Sequence, residues 1–267
     1  MVFYLNQTTG VRVLVKYFRD DVRKYYRNGS FRFGTLEEYR SYEGEVQRLS
    51  DSEEGKLVHV IEGEPIAGKP GTFRIPDFEY RSHQFKGNIV GGYIGEEPDR
   101  PRGMAMERNI NAHVICFTEG PYKSTHHRFM AFGGINPDGS GYFGDKNLKW
   151  AVEIDLVKFF RALGSKLGPG KKLKGLPVEY GERRRSIGPN ETSFIDSSSL
   201  SWDEILSAVF TKKTVFGGEQ EYRIMLYNDD GSLLHGGDPF IKITSAALRN
   251  SLLGFHKLSS TPEAIDQ

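Results

Sequence analysis

Two glutamates separated by one residue are the strongest candidates for chemistry in this sequence. Glu219 and Glu221 follow a glycine turn at residues 216–218 and stand directly before Tyr222–Tyr227, an aromatic and apolar run that predicts a strand. Because side chains alternate between the two faces of a strand, both carboxylates should project together while Gln220 points back into the sheet. A carboxylate pair at a strand mouth is suited to act as a general base or to stabilise a developing cation.

The same pattern has a simpler interpretation, an exposed acidic pair at the end of a strand. Acidic side chains are generally exposed. Two other Glu-x-Glu triplets, at residues 43–45 and 62–64, stand in polar stretches that are typical of solvated surface. The third triplet differs because it lies between a glycine turn and an apolar strand, and this context favours a functional site.

Length and composition predict a globular protein. The 267 residues are 37% hydrophobic and 12% aromatic, which is enough to form a core. A formal net charge of +1 provides no overall field that would attract nucleic acid or a membrane. The single cysteine, Cys116, excludes an internal disulfide, and the sequence has neither a signal-peptide pattern nor a run of about 18 apolar residues. We therefore expect a cytoplasmic protein with no membrane partner.

Strands and helices follow one another along the chain without regular alternation. Strand patterns occur at residues 11–17, 31–34, 111–118, 149–155 and 222–227. Helix starts are predicted at Asp155, a candidate N-cap, and at Ser201–Glu204, which matches a capping box. Many short strands with few helices predict an α+β fold with a bent or split, largely antiparallel sheet and a few flanking helices.

The positions of the glycine- and proline-rich segments predict one domain. Residues 1–258 are expected to form a single α+β domain that contains an irregular Gly/Pro-rich insertion at about 62–108. Residues 164–175, rich in glycine and lysine, are predicted to be a surface loop, and residues 259–267 a flexible tail.

Several motifs, taken in order, resemble those of a known group of proteins. They are Val15–Phe18, Phe31–Arg40, Ile115–Glu119, Val178–Tyr180 and, after Lys212 and Lys213, the run Gly218–Ile224. This set resembles the DUF2971-like bacterial and phage proteins. A polar residue on the first strand, a middle strand that ends in Ser or Thr and a late Glu-x-Glu strand, in that order, also resemble the ADP-ribosyltransferase superfamily. Members of that superfamily cleave NAD at the nicotinamide glycosidic bond and transfer ADP-ribose to a nucleophile.

The resemblance implies an ADP-ribosyltransferase-like split sheet with a cleft that binds NAD as substrate. Glu221 would be the catalytic carboxylate, and Glu219 would assist the acceptor. The pyrophosphate of NAD would be bound by Arg19 or Arg40. The nicotinamide ring would pack on Tyr17 or Phe117, and Thr118 would be a further contact. For Thr118 the alternative is a strand-end hydroxyl that bonds the backbone, and for Tyr17 it is half-buried packing.

Two basic runs are candidates for a nucleic-acid contact in this nearly neutral chain. Arg183, Arg184 and Arg185 form one run, and Lys171 and Lys172 belong to the other. Basic side chains grouped in this way neutralise backbone phosphates. The alternative is a solvated surface run.

Two further polar clusters have competing interpretations. Neighbouring side chains diverge on any regular element and no third ligand stands at a useful spacing, so His126 and His127 do not predict a metal site. Arg48, Asp51 and Glu54 form either a salt-bridged loop or a rim that binds the acceptor.

Two classes of function follow from the sequence. The first is an NAD-dependent ADP-ribosyltransferase-like effector that modifies a macromolecular acceptor, nucleic acid or protein. The resemblance sets it in a toxin or phage-defence system, with an antitoxin or another defence component as partner. The second is a non-catalytic binding module in which acids and arginines form structural pairs. A metal-dependent nuclease is disfavoured because no acid-x-Lys signature follows a strand.

Overall fold

The computed structural model describes residues 12–41, 55–62, 64–65, 67, 73–74, 88–93, 103–181, 184–187, 201–234 and 240–258. They form an α+β structure with a largely antiparallel sheet and a few helices, which confirms the predicted fold class. The strands are β1 Val13–Phe18, β2 Ser30–Thr35, β3 Lys56–Glu62, β4 Glu64–Pro65, β5 Phe73–Arg74, β6 Asn88–Tyr93, β7 Gly103–Asn109, β8 His113–Glu119, β9 Gly134–Ile135, β10 Gly141–Tyr142, β11 Trp150–Asp155, β12 Lys171–Pro177, β13 Glu179–Tyr180, β14 Arg184–Ile187, β15 Thr211–Lys212, β16 Glu221–Asn228, β17 Phe240–Thr244 and β18 Leu252–Lys257. The helices are α1 Arg23–Arg27, α2 Leu36–Ser41, α3 Ser124–Phe132, α4 Leu156–Gly164, α5 Trp202–Phe210 and α6 Ala246–Arg249, with 3-10 turns at Asp20–Val22 and Thr214–Glu219.

The main sheet has eight strands and is split. Its central path runs β12-β16-β8-β1-β11-β18, and β2 joins β8 to β17. One edge of β8 is shared: β1 pairs with it at the Thr118 end, opposite Val15, and β2 pairs with it at the His113 end. Between these two contacts the Cys116 carbonyl accepts a hydrogen bond of 2.6 Å from Lys16 Nζ. The gap in the sheet is thus bridged by a side chain.

The two faces of the main sheet bury different sets of residues. Alternation along β1 sends Leu14 and Phe18 to one face and Val15 and Tyr17 to the other. The first face packs against Phe159 and other residues of α4 in one large apolar core. The second face carries two smaller cores, one built with α5 and one with α3. Lys212, Glu221 and Arg223 are charged residues buried where these two smaller cores meet, close to the split.

A second, four-stranded sheet is formed by β14, β3, β7 and β6 in that order. Strand β6, of six residues, and all of the seven-residue β7 except Asn109 lie within the segment 62–108 that the sequence predicted to be irregular. Here β14 pairs with β3 in parallel, and β13 likewise with β15; the other strand pairs are antiparallel among the residues described.

The prediction of a surface loop across residues 164–175 is wrong at its C-terminal end. Lys171 and Lys172 begin β12, which pairs with β16 along seven residues at the end of the main sheet. Leu173 is buried there, and a Cβ at Gly175 would lie 2.5 Å from Phe160 Cζ. The segment is rich in lysine because Lys171 and Lys172 lie on the less buried positions of an end strand. It contains Gly175 because the backbone passes close to α4 there. These two features gave the strand the composition of a loop.

Among the residues described, no helix is long and apolar enough to cross a membrane.

Candidate functional site

A cavity of about 100 Å³ opens on the second face of the sheet, at the split between β1 and β8. Its apolar lining comes from both smaller cores and includes Val15 and Met130. Its polar lining comes from β1, β8, β15, β16 and the 3-10 turn before β16: Lys16, Tyr17, Thr118, Lys212, Glu219, Glu221 and Arg223. The cavity has apolar walls and convergent polar groups, the usual composition of a small-molecule site.

Two carboxylates and two cations form an ion-pair cluster at this cavity: Lys212, Glu219, Glu221 and Arg223. Lys212 Nζ lies 2.7 Å from Glu219 Oε2 and 3.1 Å from Glu221 Oε2. Arg223 Nε lies 2.6 Å from Glu221 Oε1, and its Nη1 donates to the Val209 carbonyl at 2.5 Å. All four side chains are at most 9% exposed. The interpretation of Glu219 and Glu221 as an exposed surface pair is therefore wrong.

The ion pairs decide the charge state of Glu221. Burial by itself would raise the pKa of this carboxyl, but the nearby Arg223 and Lys212 hold it well below its ordinary value. A hydrogen bond from the Cys116 thiol acts in the same direction. Glu221 is thus a buried carboxylate that stays ionised at neutral pH, and it lies opposite Thr118 in the register of β16 and β8.

Glu219 reaches the cavity by a route that strand alternation does not predict. It ends the 3-10 turn Thr214–Glu219, and Gln220 then adopts a left-handed conformation with φ of 48° before β16 begins at Glu221. Gln220 is exposed instead of pointing into the sheet. The left-handed residue between them replaces extended alternation, and both carboxylates reach Lys212 Nζ. The Thr118 hydroxyl donates to the Glu219 carbonyl at 3.1 Å, the strand-end role that the sequence offered as the alternative for this residue.

The turn that carries Glu219 is held tightly. Gly218 N donates to Asn136 Oδ1 at 3.0 Å, and the Gly218 carbonyl lies 2.9 Å from His126 Nε2. A Cβ at Gly218 would lie 2.4 Å from Phe129 Cζ, so glycine is required here by close packing. Tyr142 OH donates to Glu219 Oε1 at 3.1 Å.

A tyrosine–histidine cluster, comprising Tyr17, Tyr122, His126 and His127, lies beside the ion-pair cluster. Tyr17 OH is 2.9 Å from His126 Nδ1, and Tyr122 OH is 3.2 Å from His127 Nδ1. Burial, followed by the proximity of Tyr122 and Glu153, raises the pKa of Tyr17, which therefore remains a phenol. Burial lowers the pKa of His127 to about 4, which keeps that ring neutral at physiological pH.

The Cys116 thiol and the rings of His126 and His127 are each engaged in local contacts. Burial, and after it the charge of Glu221, raises the pKa of the Cys116 thiol, so the reactive thiolate is suppressed. His126 and His127 direct their ring nitrogens to different partners. In the part of the chain that the structure describes, no group of three His, Cys, Asp or Glu side chains is arranged to hold a metal ion.

The structure brings together only some of the residues predicted for NAD. Tyr17, Thr118, Glu219 and Glu221 line the same cavity although they come from distant parts of the chain. Phe117 also contributes to the lining, but its ring packs edge-on against Phe159, 5.5 Å between centroids, in the large core. Alternation along β8 sends this ring to the opposite face from Thr118, and its role as a stacking face for nicotinamide stays a prediction.

The predicted pyrophosphate ligands lie elsewhere. Arg19 Nη2 is 3.4 Å from Asp145 Oδ2, and Arg40 Nη1 donates to the Ile110 carbonyl at 3.1 Å. Among the residues that the structure describes, the cavity lining includes neither arginine. Lys16, Lys212 and Arg223 are the cations that line it.

The basic runs can be placed only in part. Lys171 and Lys172 lie on β12, where Lys172 Nζ is 3.4 Å from the Asp229 carbonyl. The backbones of Arg184 and Arg185 belong to β14. Arg183 lies outside the described residues, as do Arg48, Asp51 and Glu54.

Sequence reasoning gave no role to Lys212, Arg223, Tyr142 or His126. A signal for Arg223 was present, because it stands two residues after Glu221 and strand alternation puts both on one face. The partners from other elements carried no such signal, since Tyr142 and His126 reach the site only through the packing of β10 and α3.

No family model, curated protein or solved structure matches this chain.

Proposed function

We propose that this protein is an NAD-dependent ADP-ribosyltransferase-like enzyme that cleaves the nicotinamide glycosidic bond at the cavity beside the split sheet. One observation supports this most: Glu221 is a buried carboxylate, held ionised on the cavity wall opposite Thr118. A fixed negative charge in a water-poor site is what a reaction with a cationic transition state requires.

The chemistry assigns a defined task to Glu221. As the bond between ribose C1′ and the nicotinamide nitrogen breaks, the bonding electrons leave with the ring and positive charge develops on the ribose. The Glu221 carboxylate stabilises that oxocarbenium-like charge, as carboxylates do in glycoside cleavage. The acceptor then forms a bond to C1′ and loses a proton.

Size and charge are compatible with one end of NAD. Small-molecule pockets commonly enclose about 300–1,000 Å³, so the cavity of about 100 Å³ holds only the nicotinamide end while the remainder of NAD extends over its rim. Lys212 and Arg223 balance the two glutamates, and Lys16 is a further cation in the lining. A ligand with a cationic ring and an anionic pyrophosphate complements this mixture.

Release of free nicotinamide from NAD is the test of this proposal. We expect release by the wild-type protein, on the order of a hundredfold less by the variant Glu221→Gln, and wild-type rates for the matched control Glu179→Gln, whose side chain is exposed. Thermal unfolding of each variant checks that it is folded, because Glu221 is paired with two buried cations. Absence of release by the wild type would overturn the proposal whatever the variants do.

The macromolecular acceptor and the biological setting form part of the same proposal. Nucleic acid and protein are distinguished by incubation with adenine-labelled NAD and either single-stranded DNA, RNA or total protein. Label transfer to one class identifies the acceptor. A toxin or phage-defence role in the cytoplasm, with an antitoxin or other defence component as partner, remains the proposed setting.

A specific observation also favours the second candidate, a non-catalytic binding module. Each carboxylate oxygen of the two glutamates already has a partner: Glu219 bonds Tyr142 and Lys212, and Glu221 bonds Arg223 and Lys212. Such pairing is also what a purely structural cluster would show. NAD binding without nicotinamide release would favour this candidate.

A further inference from the structure

The hydrogen bonds of His126 fix which of its ring nitrogens carries the proton. Its Nε2 lies 2.9 Å from the Gly218 carbonyl, which can only accept a hydrogen bond. In the neutral ring Nε2 is therefore the donor, and Nδ1 is left as an acceptor for the Tyr17 hydroxyl at 2.9 Å. The result is a directed chain in which Tyr17 donates to His126 and His126 donates to the backbone.

A second hydrogen-bond chain of the same kind, from Tyr122 through His127, lies next to the first. His127 Nε2 is 3.1 Å from the Leu148 carbonyl, and its Nδ1 accepts from Tyr122 OH at 3.2 Å. The two chains differ in where their tyrosines lie. In the described part of the protein the cavity lining includes Tyr17 and leaves out Tyr122. Only the hydrogen-bond chain through His126 therefore ends at the proposed site.

The carboxylates beside the cavity are poorly suited to accept a proton. Glu219 is bonded to Lys212 and Tyr142, and Glu221 is held ionised by Arg223 and Lys212. Protonation of either would break an ion pair in a buried site, which is costly. The transfer reaction nevertheless releases one proton from the acceptor for every bond formed to C1′.

We propose that Tyr17 and His126 form the proton relay that deprotonates the acceptor in the reaction suggested above. The acceptor X–H donates to the Tyr17 oxygen while the Tyr17 proton moves to His126 Nδ1. X forms its bond to C1′, nicotinamide leaves with the electron pair of the broken C–N bond, and the imidazolium keeps its Nε2–H bond to Gly218. Tyr17 contacts the acceptor and His126 acts through it. The inference rests on the proposed function.

Two NAD reactions separate this relay from the cleavage step. Exchange of labelled nicotinamide into NAD requires only that the glycosidic bond break and reform. Net hydrolysis, with water as the acceptor, also requires loss of a proton. We expect Tyr17→Phe and His126→Asn to lower hydrolysis on the order of a hundredfold while exchange and the KM for NAD are retained. Asparagine still accepts a hydrogen bond but takes up no proton.

The control variant is Tyr122→Phe. It removes the hydroxyl that bonds to His127 in the second hydrogen-bond chain, and it should leave both reactions unchanged. An equal fall of hydrolysis and exchange in Tyr17→Phe and His126→Asn would mean a merely structural role and would overturn the relay, as would unchanged hydrolysis. Loss of both reactions in Glu221→Gln, with hydrolysis alone lost in the relay variants, is the expected pattern. A wild type with neither reaction would overturn the proposed function and this inference together.

A measurement without turnover tests the relay geometry directly. ¹⁵N NMR of the labelled histidines should show His126 protonated at Nε2, with an Nδ1 resonance that moves in Tyr17→Phe and stays in place in Tyr122→Phe. A proton on Nδ1 of the neutral ring would overturn the relay even if NAD is cleaved.

Discussion

The ion-pair cluster and the tyrosine–histidine cluster are adjacent, yet they satisfy their polar groups in different ways. In the first, Lys212 and Arg223 neutralise Glu219 and Glu221, so each member depends on a charged partner. In the second, the rings of His126 and His127 are bonded to backbone carbonyls. The first cluster holds fixed charges, whereas the second is joined by hydrogen bonds between tyrosine hydroxyls and imidazole rings.

This difference has a structural origin. The ion-pair cluster is built by β15, β16 and the tight turn between them, within residues 211–223, so its geometry is set locally. The tyrosine–histidine cluster instead needs β1 and α3, which are about a hundred residues apart in sequence and meet in the core around Met130. One region is therefore specified by short-range structure and the other by the packing of the sheet.

The largest expected effect comes from breaking the ion-pair cluster at its centre. Lys212→Met leaves two buried carboxylates without their shared cation, and we expect a loss of about 3–5 kcal/mol in the free energy of unfolding at neutral pH. Lys158→Met, which removes an exposed ion pair with Asp155, should cost less than about 1 kcal/mol. Urea denaturation measures both, and similar losses would contradict the account of the cluster.

The pH dependence of stability separates the two clusters. His127 has a folded pKa of about 4 against an ordinary value of 6.5, so the unfolded chain takes up a proton first as the pH falls. Stability should therefore decrease between pH 6.5 and 4, by at most about 3 kcal/mol. Glu221, whose pKa is lowered, contributes stability that is lost below about pH 4.5.

Denaturation curves at a series of pH values check this assignment. The variant His127→Gln should flatten the profile between pH 6.5 and 4 and leave the more acidic decrease in place. A wild-type profile with no slope above pH 4.5 would contradict a neutral, buried His127.

A smaller effect tests the turn that joins the clusters. Gly218→Ala would bring a methyl group 2.4 Å from Phe129 Cζ and 2.5 Å from Asn136 Oδ1, so we expect a loss of about 1–3 kcal/mol. Gly217→Ala is the matched control, because its Cβ would meet Tyr180 Cγ at an ordinary 3.9 Å. Equal melting temperatures for the two variants would show that the turn adapts more readily than its packing indicates.

The sequence predicted the parts of this molecule that depend on local rules. The N-cap at Asp155 and the capping box at Ser201 are both present, because each depends on residues within one helical turn. The α+β fold with its antiparallel sheet also followed from the pattern of short strands.

The errors arose where tertiary contacts overrule local patterns. Pairing with β16 makes a strand of Lys171 and Lys172, and the left-handed Gln220 replaces the expected alternation. The ring of Phe117 packs in the large core, and its strand β8 is buried on both faces. The position of Phe117 next to Thr118 in the sequence therefore did not show which face of the sheet its ring occupies.

Binding of NAD at the split sheet is the central claim, and one titration tests it directly. Among the five methionines, Met130 lines the cavity, whereas Met225 is buried in the neighbouring core. With ¹³C-methyl-labelled methionine, an NAD analogue whose glycosidic bond resists cleavage should shift the Met130 resonance in a saturable way and leave Met225 in place. An unchanged Met130 resonance at millimolar analogue would contradict the account.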